Sequence, residues 1–120
     1  MTKVFIIAEA GVNHNGDVDK AIELISVAAE AKADAIKFQT FDADKLATIH
    51  AATADYQKQT TGSKTQYEML KSLMLTAEDY DRVVAECKKQ GIEFMSTPFD
   101  YDSALFLQKL GVKRLKIPSG

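Results

Sequence analysis

The chain has little that would tie it to an oxidising compartment, a membrane or a nucleic acid. Its one cysteine, Cys87, has no partner for an intrachain disulfide. Its apolar runs fall far short of the roughly 18 to 20 residues that span a bilayer, which excludes a membrane span. It opens on VFIIAEAG, a strand-like string, rather than on a basic, apolar, small-residue leader, so a reducing cytoplasm is the expected location. Positive charge is not in excess: 15 Lys and Arg against 17 Asp and Glu give a net charge of -2. That leaves no basic field for nucleic acid or an anionic surface, although a local anion pocket stays open. Proline is nearly missing, with two residues in 120, while 46% of the chain is hydrophobic and 27% charged. This is the composition of an ordinary folded domain.

What is present is an alternation of strand-like and helix-like segments. Residues 4–8 are a continuous apolar run, the pattern of a strand covered on both faces of a parallel sheet. After the polar string 9–16, Asp17 is placed to cap a helix with Val18, Ala21, Ile22 and Ile25 at helical spacing, ending near Ala31 or Lys32. AIKFQT, residues 35–40, follows after a short connection, so the opening is a βαβ unit and the sheet is parallel. Thr76 and Asp79 make a capping box, Tyr80, Val83, Val84 and Cys87 share one helical face, and Gly91 stops that helix. A third strand is expected at 92–97. Asp100 or Asp102 then opens a helix closed by Gly111, and 114–117 reads as a fourth strand. Residues 41–66 form the one long irregular stretch, of the kind that is functional or disordered. Tyr67, Met69, Leu70 and Met74 read as packing residues around a short helix at its end. Four β/α units are half of what a barrel of eight strands and about 250 residues requires.

Substrates of parallel α/β proteins bind at the C-terminal ends of strands, and every strand here ends in polar residues. The first delivers Glu9, Asn13 and His14, the second Lys37, Gln39 and Thr40, the third Ser96 and Thr97, the fourth Lys116 and Ser119. Lysines inside short apolar strands imply an anionic partner; an ion pair with Glu9, or an ammonium reaching solvent, is the alternative. Thr97 and Ser119 hydroxyls could donate to the same phosphate or carboxylate. Lys37 and Gln39 lie two apart and point to one side, the interior of a barrel, where Gln39 is either a satisfied core amide or a substrate contact. Glu9 reads as a general base or a sugar-hydroxyl acceptor, or else as the partner of a lysine. His14 sits in Asn-His-Asn-Gly, whose Asn15-Gly16 pair is also a plain turn signal. His50 lies in the long loop and Cys87 on an apolar stripe, and neither enters the catalytic set.

At these residues the sequence resembles the N-acetylneuraminate (sialic acid) synthase family, with its legionaminic, pseudaminic and spore-coat polysaccharide relatives. The strings IIAEAGVNHNGD, AIKFQTF, DYQKQTTG, YEMLKSL, FMSTPFD and LKIPSG occur in the family's order and cover nearly the whole chain. The resemblance implies a TIM (β/α)8 barrel, with residues 1–120 as its N-terminal half and a second half and an antifreeze-like domain beyond them. It implies condensation of phosphoenolpyruvate with an N-acetylhexosamine such as N-acetylmannosamine. Glu9, Lys37 and Lys116 would be catalytic, with Gln39, Thr97, Ser119, Asn13 and His14 binding substrate. It also implies a divalent cation, Mn2+ or Mg2+, whose histidine ligands come from later strands, so that this segment supplies none. The string KFQTF is similar to the legionaminic branch. Two other readings stand beside this one: another phosphoenolpyruvate or Schiff-base aldolase on the same barrel, and an inert half-barrel that covers its open edges by homodimerisation.

Overall fold

A computed structural model describes residues 3–49 and 65–119. Three strands, β1 (Ile7–Gly11), β2 (Ala35–Thr40) and β3 (Glu93–Pro98), form one parallel sheet in the order β1-β2-β3. Five helices accompany them among the described residues: α1 (Val18–Glu30), α2 (Ala43–Ile49), α3 (Gln66–Ser72), α4 (Ala77–Gln90) and α5 (Tyr101–Leu110). None of them is long and apolar enough to cross a membrane.

Local sequence sets most of these boundaries. Asp17 caps α1 by accepting from Asp19 N–H, Thr76 and Asp79 form the reciprocal box that starts α4, and Asp100 caps α5. Gly91 and Gly111 end α4 and α5 in the left-handed region, at φ 72° and 85°. The apolar faces so placed meet on one side of the sheet. Ile36, Phe38 and Phe94 pack there against Ala21 and Ile25 of α1, Tyr80, Val83 and Cys87 of α4, and Leu107 of α5.

The first strand starts later than its apolar run. Asp34 takes the Ile6 N–H on its carboxylate at 2.7 Å, and the Asp34 N–H donates to Ile6 O at 2.8 Å, so residues 3–6 are tethered to a loop and the ladder begins at Ile7. Nor is the run covered on both faces: Val4, Phe5, Ile6 and Ile7 are all exposed, because the helices lie on one side only.

The expected strand at 114–117 does not form; Leu115 makes a single isolated parallel bridge to Ser96. The backbone explains why. Glu93 and Phe99 donate to Asp34 and Thr40, so the odd residues of β3 bond toward β2, while Ser96 turns the other way and accepts from Lys116 N–H at 3.3 Å. Pro98, next in line on that edge, has no N–H to extend the ladder. Part of the irregular 41–66 stretch is helical, as α2, and residues 50–64, including His50, lie outside the described residues. The residues expected to pack around α3 are not core: α3 buries none of its residues, Met69 is exposed, and the Tyr67 hydroxyl donates to Asp44 at 2.5 Å.

Candidate active site

The inward face of the sheet carries the chemistry. Parallel pairing sets Glu9 beside Lys37 and Gln39 beside Thr97, and these side chains alternate with the core residues Ile36, Phe38 and Phe94. At the C-terminal ends of β2 and β3 lies a cleft of about 340 Å³ that gathers Lys37, Gln39, Thr97, Lys116 and Ser119. Phe99 and Pro118 complete its wall and had no place among the sequence candidates. Phe99 lies two residues after Thr97, so the alternation that paired Lys37 with Gln39 also reaches it.

Two ammonium groups and no carboxylate line the cleft, but the Lys37 ammonium is already paired with the Glu9 carboxylate beside it. Lys37 is the deeper of the two. Its side chain is 13% exposed, and its Nζ forms a very short ion pair with the Glu9 carboxylate, itself 50% exposed. The other Glu9 oxygen accepts the Gly11 N–H at 3.0 Å, which fixes the carboxylate at the bulge ending β1. The Glu9–Lys37 pair considered for the sequence is therefore present, beside the cleft rather than in place of it. Lys116 is exposed and donates from Nζ to Ile117 O at 3.0 Å. It is not the strand-buried lysine its apolar setting implied. Thr97 is buried, Ser119 exposed and Gln39 half-buried.

Asn13 and His14 do not line this cleft. Asn13 is an exposed turn residue. His14 is buried with its ring 6.0 Å from Phe38, on the helix-covered side of the sheet. Its Nδ1 accepts the Gly16 N–H at 2.9 Å, and Asp17 N–H closes the turn onto His14 O at 3.0 Å. Asn15 and Gly16 adopt φ of 55° and 75°, the turn chemistry their pairing signals.

Burial holds the His14 imidazole below its usual 6.5, against the opposing pull of Asp17 and Asp79. The unfolded chain therefore takes up a proton near 6.5 that the folded chain refuses. Stability is complete above that pH and declines as pH falls below it. We expect a lower urea midpoint at about pH 5.5 than at about pH 7.5, and a flatter dependence in His14→Gln. An equally steep dependence in the variant would place the titrating group elsewhere. Cys87 has the opposite fate: burial pushes its thiol up to about 12, and it behaves as a small hydrophobe.

The model described as the NeuB family matches residues 24–120. The chain belongs to the NeuB family. Among its NeuB relatives, the N,N'-diacetyllegionaminic acid synthase of Legionella pneumophila is 58% identical over 117 residues, covering 97% of this chain and 33% of that protein. The synthase of the same name from Campylobacter jejuni is 46% identical over 121 residues, covering 100% and 36%. In structure, the chain is similar to the N-acetylneuraminic acid (sialic acid) synthetase of Leptospira borgpetersenii, crystallised in complex with citrate. The TM-score is 0.74 at 34% identity, over 97% of this chain and 36% of that one. The chain thus spans about a third of the length of these NeuB proteins. The three parallel strands and their helices correspond to part of the barrel of these NeuB proteins.

Proposed function

We propose that the cleft holds phosphoenolpyruvate for condensation with an N-acetylated hexosamine, giving a nonulosonic acid and free phosphate. The supporting observation is the meeting of Lys37 and Lys116 with the Thr97 and Ser119 hydroxyls in one carboxylate-free hollow at strand C-termini. A small metabolite that carries a phosphate and a carboxylate suits those donors and that size. In this reading the two ammonium groups bind the phosphate and carboxylate, Lys37 being shared with Glu9, and the hydroxyls donate hydrogen bonds to them. Glu9, half-exposed at the rim, faces the sugar and handles a proton at its oxygen. The bond that forms joins the phosphoenolpyruvate methylene carbon to the aldehyde carbon of the open-chain sugar. Water adds at the enol carbon, and phosphate leaves with cleavage of its C–O bond. The names of the two relatives favour a legionaminic-type product over other sugars.

Among the described residues no three His, Cys, Asp or Glu side chains come together as a metal site. A divalent cation would take its ligands from elsewhere in the barrel, and none of the roles assigned to this segment runs through it. The second half-barrel and an antifreeze-like domain would complete the enzyme, working in the cytoplasm as a homodimer. Residues 1–120 alone, with Val4, Ile6 and Ile117 exposed, should self-associate and be inactive.

The test is phosphate release from phosphoenolpyruvate by the complete protein that carries this segment, with Mn2+ and a panel of N-acetylhexosamines. Sugar-dependent release supports the synthase. Absence of release with every sugar, together with borohydride trapping of a carbonyl substrate on a lysine, would replace it by the Schiff-base aldolase. Sedimentation of the same protein checks the dimer.

A further inference from the structure

Behind the cleft, on the opposite face of the same two strands, lies a chain of three buried hydroxyls. Thr40 directly follows Gln39, and Ser96 directly precedes Thr97, so each turns away from the cleft while its neighbour turns into it. The Thr40 Oγ1 stands 2.6 Å from Ser96 Oγ and 2.9 Å from Tyr80 Oη. The Tyr80 hydroxyl in turn donates to Gln39 O at 3.4 Å. Thr40, Ser96 and Tyr80 are 6%, 0% and 5% exposed, so water does not compete for these groups.

One proton arrangement satisfies the whole set: Ser96 donates to Thr40, Thr40 to Tyr80, and Tyr80 to the Gln39 carbonyl. That carbonyl lies past the end of β1, whose last pair is Gly11 with Phe38, so it has no donor from that strand. The tyrosine supplies one. Burial raises the Tyr80 hydroxyl above its ordinary range, which keeps its proton in place. The ring is clamped edge-on by Phe94 and Phe106, with centroids 6.2 and 5.1 Å away. At the other end of the chain, Ser96 O accepts the Lys116 N–H, so Ser96 links the hydroxyls to the second cleft lysine as well.

We propose that Tyr80, Thr40 and Ser96 act as positioning residues, locking the ends of β2 and β3 so that Gln39, Thr97 and Lys116 converge on one anion. This rests on the synthase reading for the identity of that anion. The hydroxyls touch no substrate; they set the spacing of residues that do. Losing the central hydroxyl breaks two hydrogen bonds at once and leaves two buried donors or acceptors short of a partner. A cleft whose walls then drift apart binds its anion more weakly.

Three variants of the complete protein test this: Thr40→Val, Thr40→Ser and Tyr80→Phe. Thr40→Val should raise KM for phosphoenolpyruvate about tenfold with kcat changed less than about twofold. Tyr80→Phe, which keeps the ring packing, should raise it about threefold, and Thr40→Ser should restore the parent value. A merely structural role would lower Tm in Thr40→Val and Tyr80→Phe while leaving KM within about twofold of the parent, and that result overturns the proposal. Should Thr40→Val fail to fold, Tyr80→Phe decides alone. If the parent releases no phosphate with any sugar, the synthase reading is what fails. The positioning is then read from phosphoenolpyruvate affinity by calorimetry, with the same ratios expected and the same equality overturning it.

Discussion

Replacing Lys37 by methionine in the complete protein should lower kcat/KM for phosphoenolpyruvate by about 100- to 1,000-fold, which corresponds to roughly 3 to 4 kcal/mol. Two effects add in the same direction. The substrate loses a charge-assisted hydrogen bond from a cation whose side chain is only 13% exposed, where solvent screens little. The methionine is of similar length, so packing is largely kept. The Glu9 carboxylate is left without its counter-ion beside the cleft, where it repels the incoming anion. The last effect can be isolated: adding Glu9→Gln to Lys37→Met removes the repulsion and should recover part of the loss in anion affinity, read by calorimetry. Lys116→Met is the informative comparison. Its ammonium is exposed and, among the described residues, bonded to Ile117 O, so its removal should weaken binding by about tenfold and that loss should shrink as salt is raised. A Lys37→Met protein within about threefold of the parent would remove the lysine from the site and the anion reading with it.

The fold was largely legible because its signals are local. Caps and stops are read within four residues: Asp17, Thr76 with Asp79, Asp100, Gly91 and Gly111 all act where their residue types imply. β2 matches its string residue for residue, since it is central and its outward side chains have the helices to pack against. The edges were less legible, because a strand also needs a neighbour. VFIIA is as apolar as any strand, yet its first residues are held by a carboxylate on the next loop. RLKI has the right residues but faces an edge where Pro98 cannot donate. Hydrophobic pattern reports burial on a finished barrel, and it does not say which part of the ladder this segment closes by itself.

At the site, alternation along β2 and β3 places Lys37, Gln39 and Thr97 on a common face, and this follows from counting residues. The addition of Lys116 and Ser119 depends on where the chain returns after α5, which the βα pattern supplies. His14 illustrates the opposite case. Its polar neighbourhood suggested a rim residue, but the turn through Asn15 and Gly16 folds the ring back under Phe38. No pattern in Asn-His-Asn-Gly distinguishes those directions. The hydroxyl chain was hidden for a different reason: Tyr80 occupies a core position on α4, and its oxygen reaches Thr40 forty residues earlier in the chain.

Gly16→Ala should destabilise the protein by about 2 to 4 kcal/mol, the largest expected effect of any single methyl group in this segment. Two penalties coincide there. At φ +75° the residue is in the left-handed region, where a β-carbon is strained whatever the space around it. A β-carbon at Gly16 would also run into the carbonyl oxygen of Ser72 and lie 3.2 Å from its carbon and 3.6 Å from Met74 O. Those are backbone atoms at the end of α3 and in its link to α4, so no side chain can swing aside. The turn must move away from that link, and with it goes the Gly16 N–H that holds His14 Nδ1. Gly91→Ala and Gly111→Ala separate the two penalties, since both sites have φ in the same region and open space around the new atom. They should lose only the conformational share, about 1 to 2 kcal/mol each. Urea midpoints of the three variants at neutral pH measure the difference. If Gly16→Ala is no worse than Gly91→Ala, the approach of the β1–α1 turn to the α3–α4 link contributes nothing to stability, and α3, which buries none of its own residues, is anchored by other contacts.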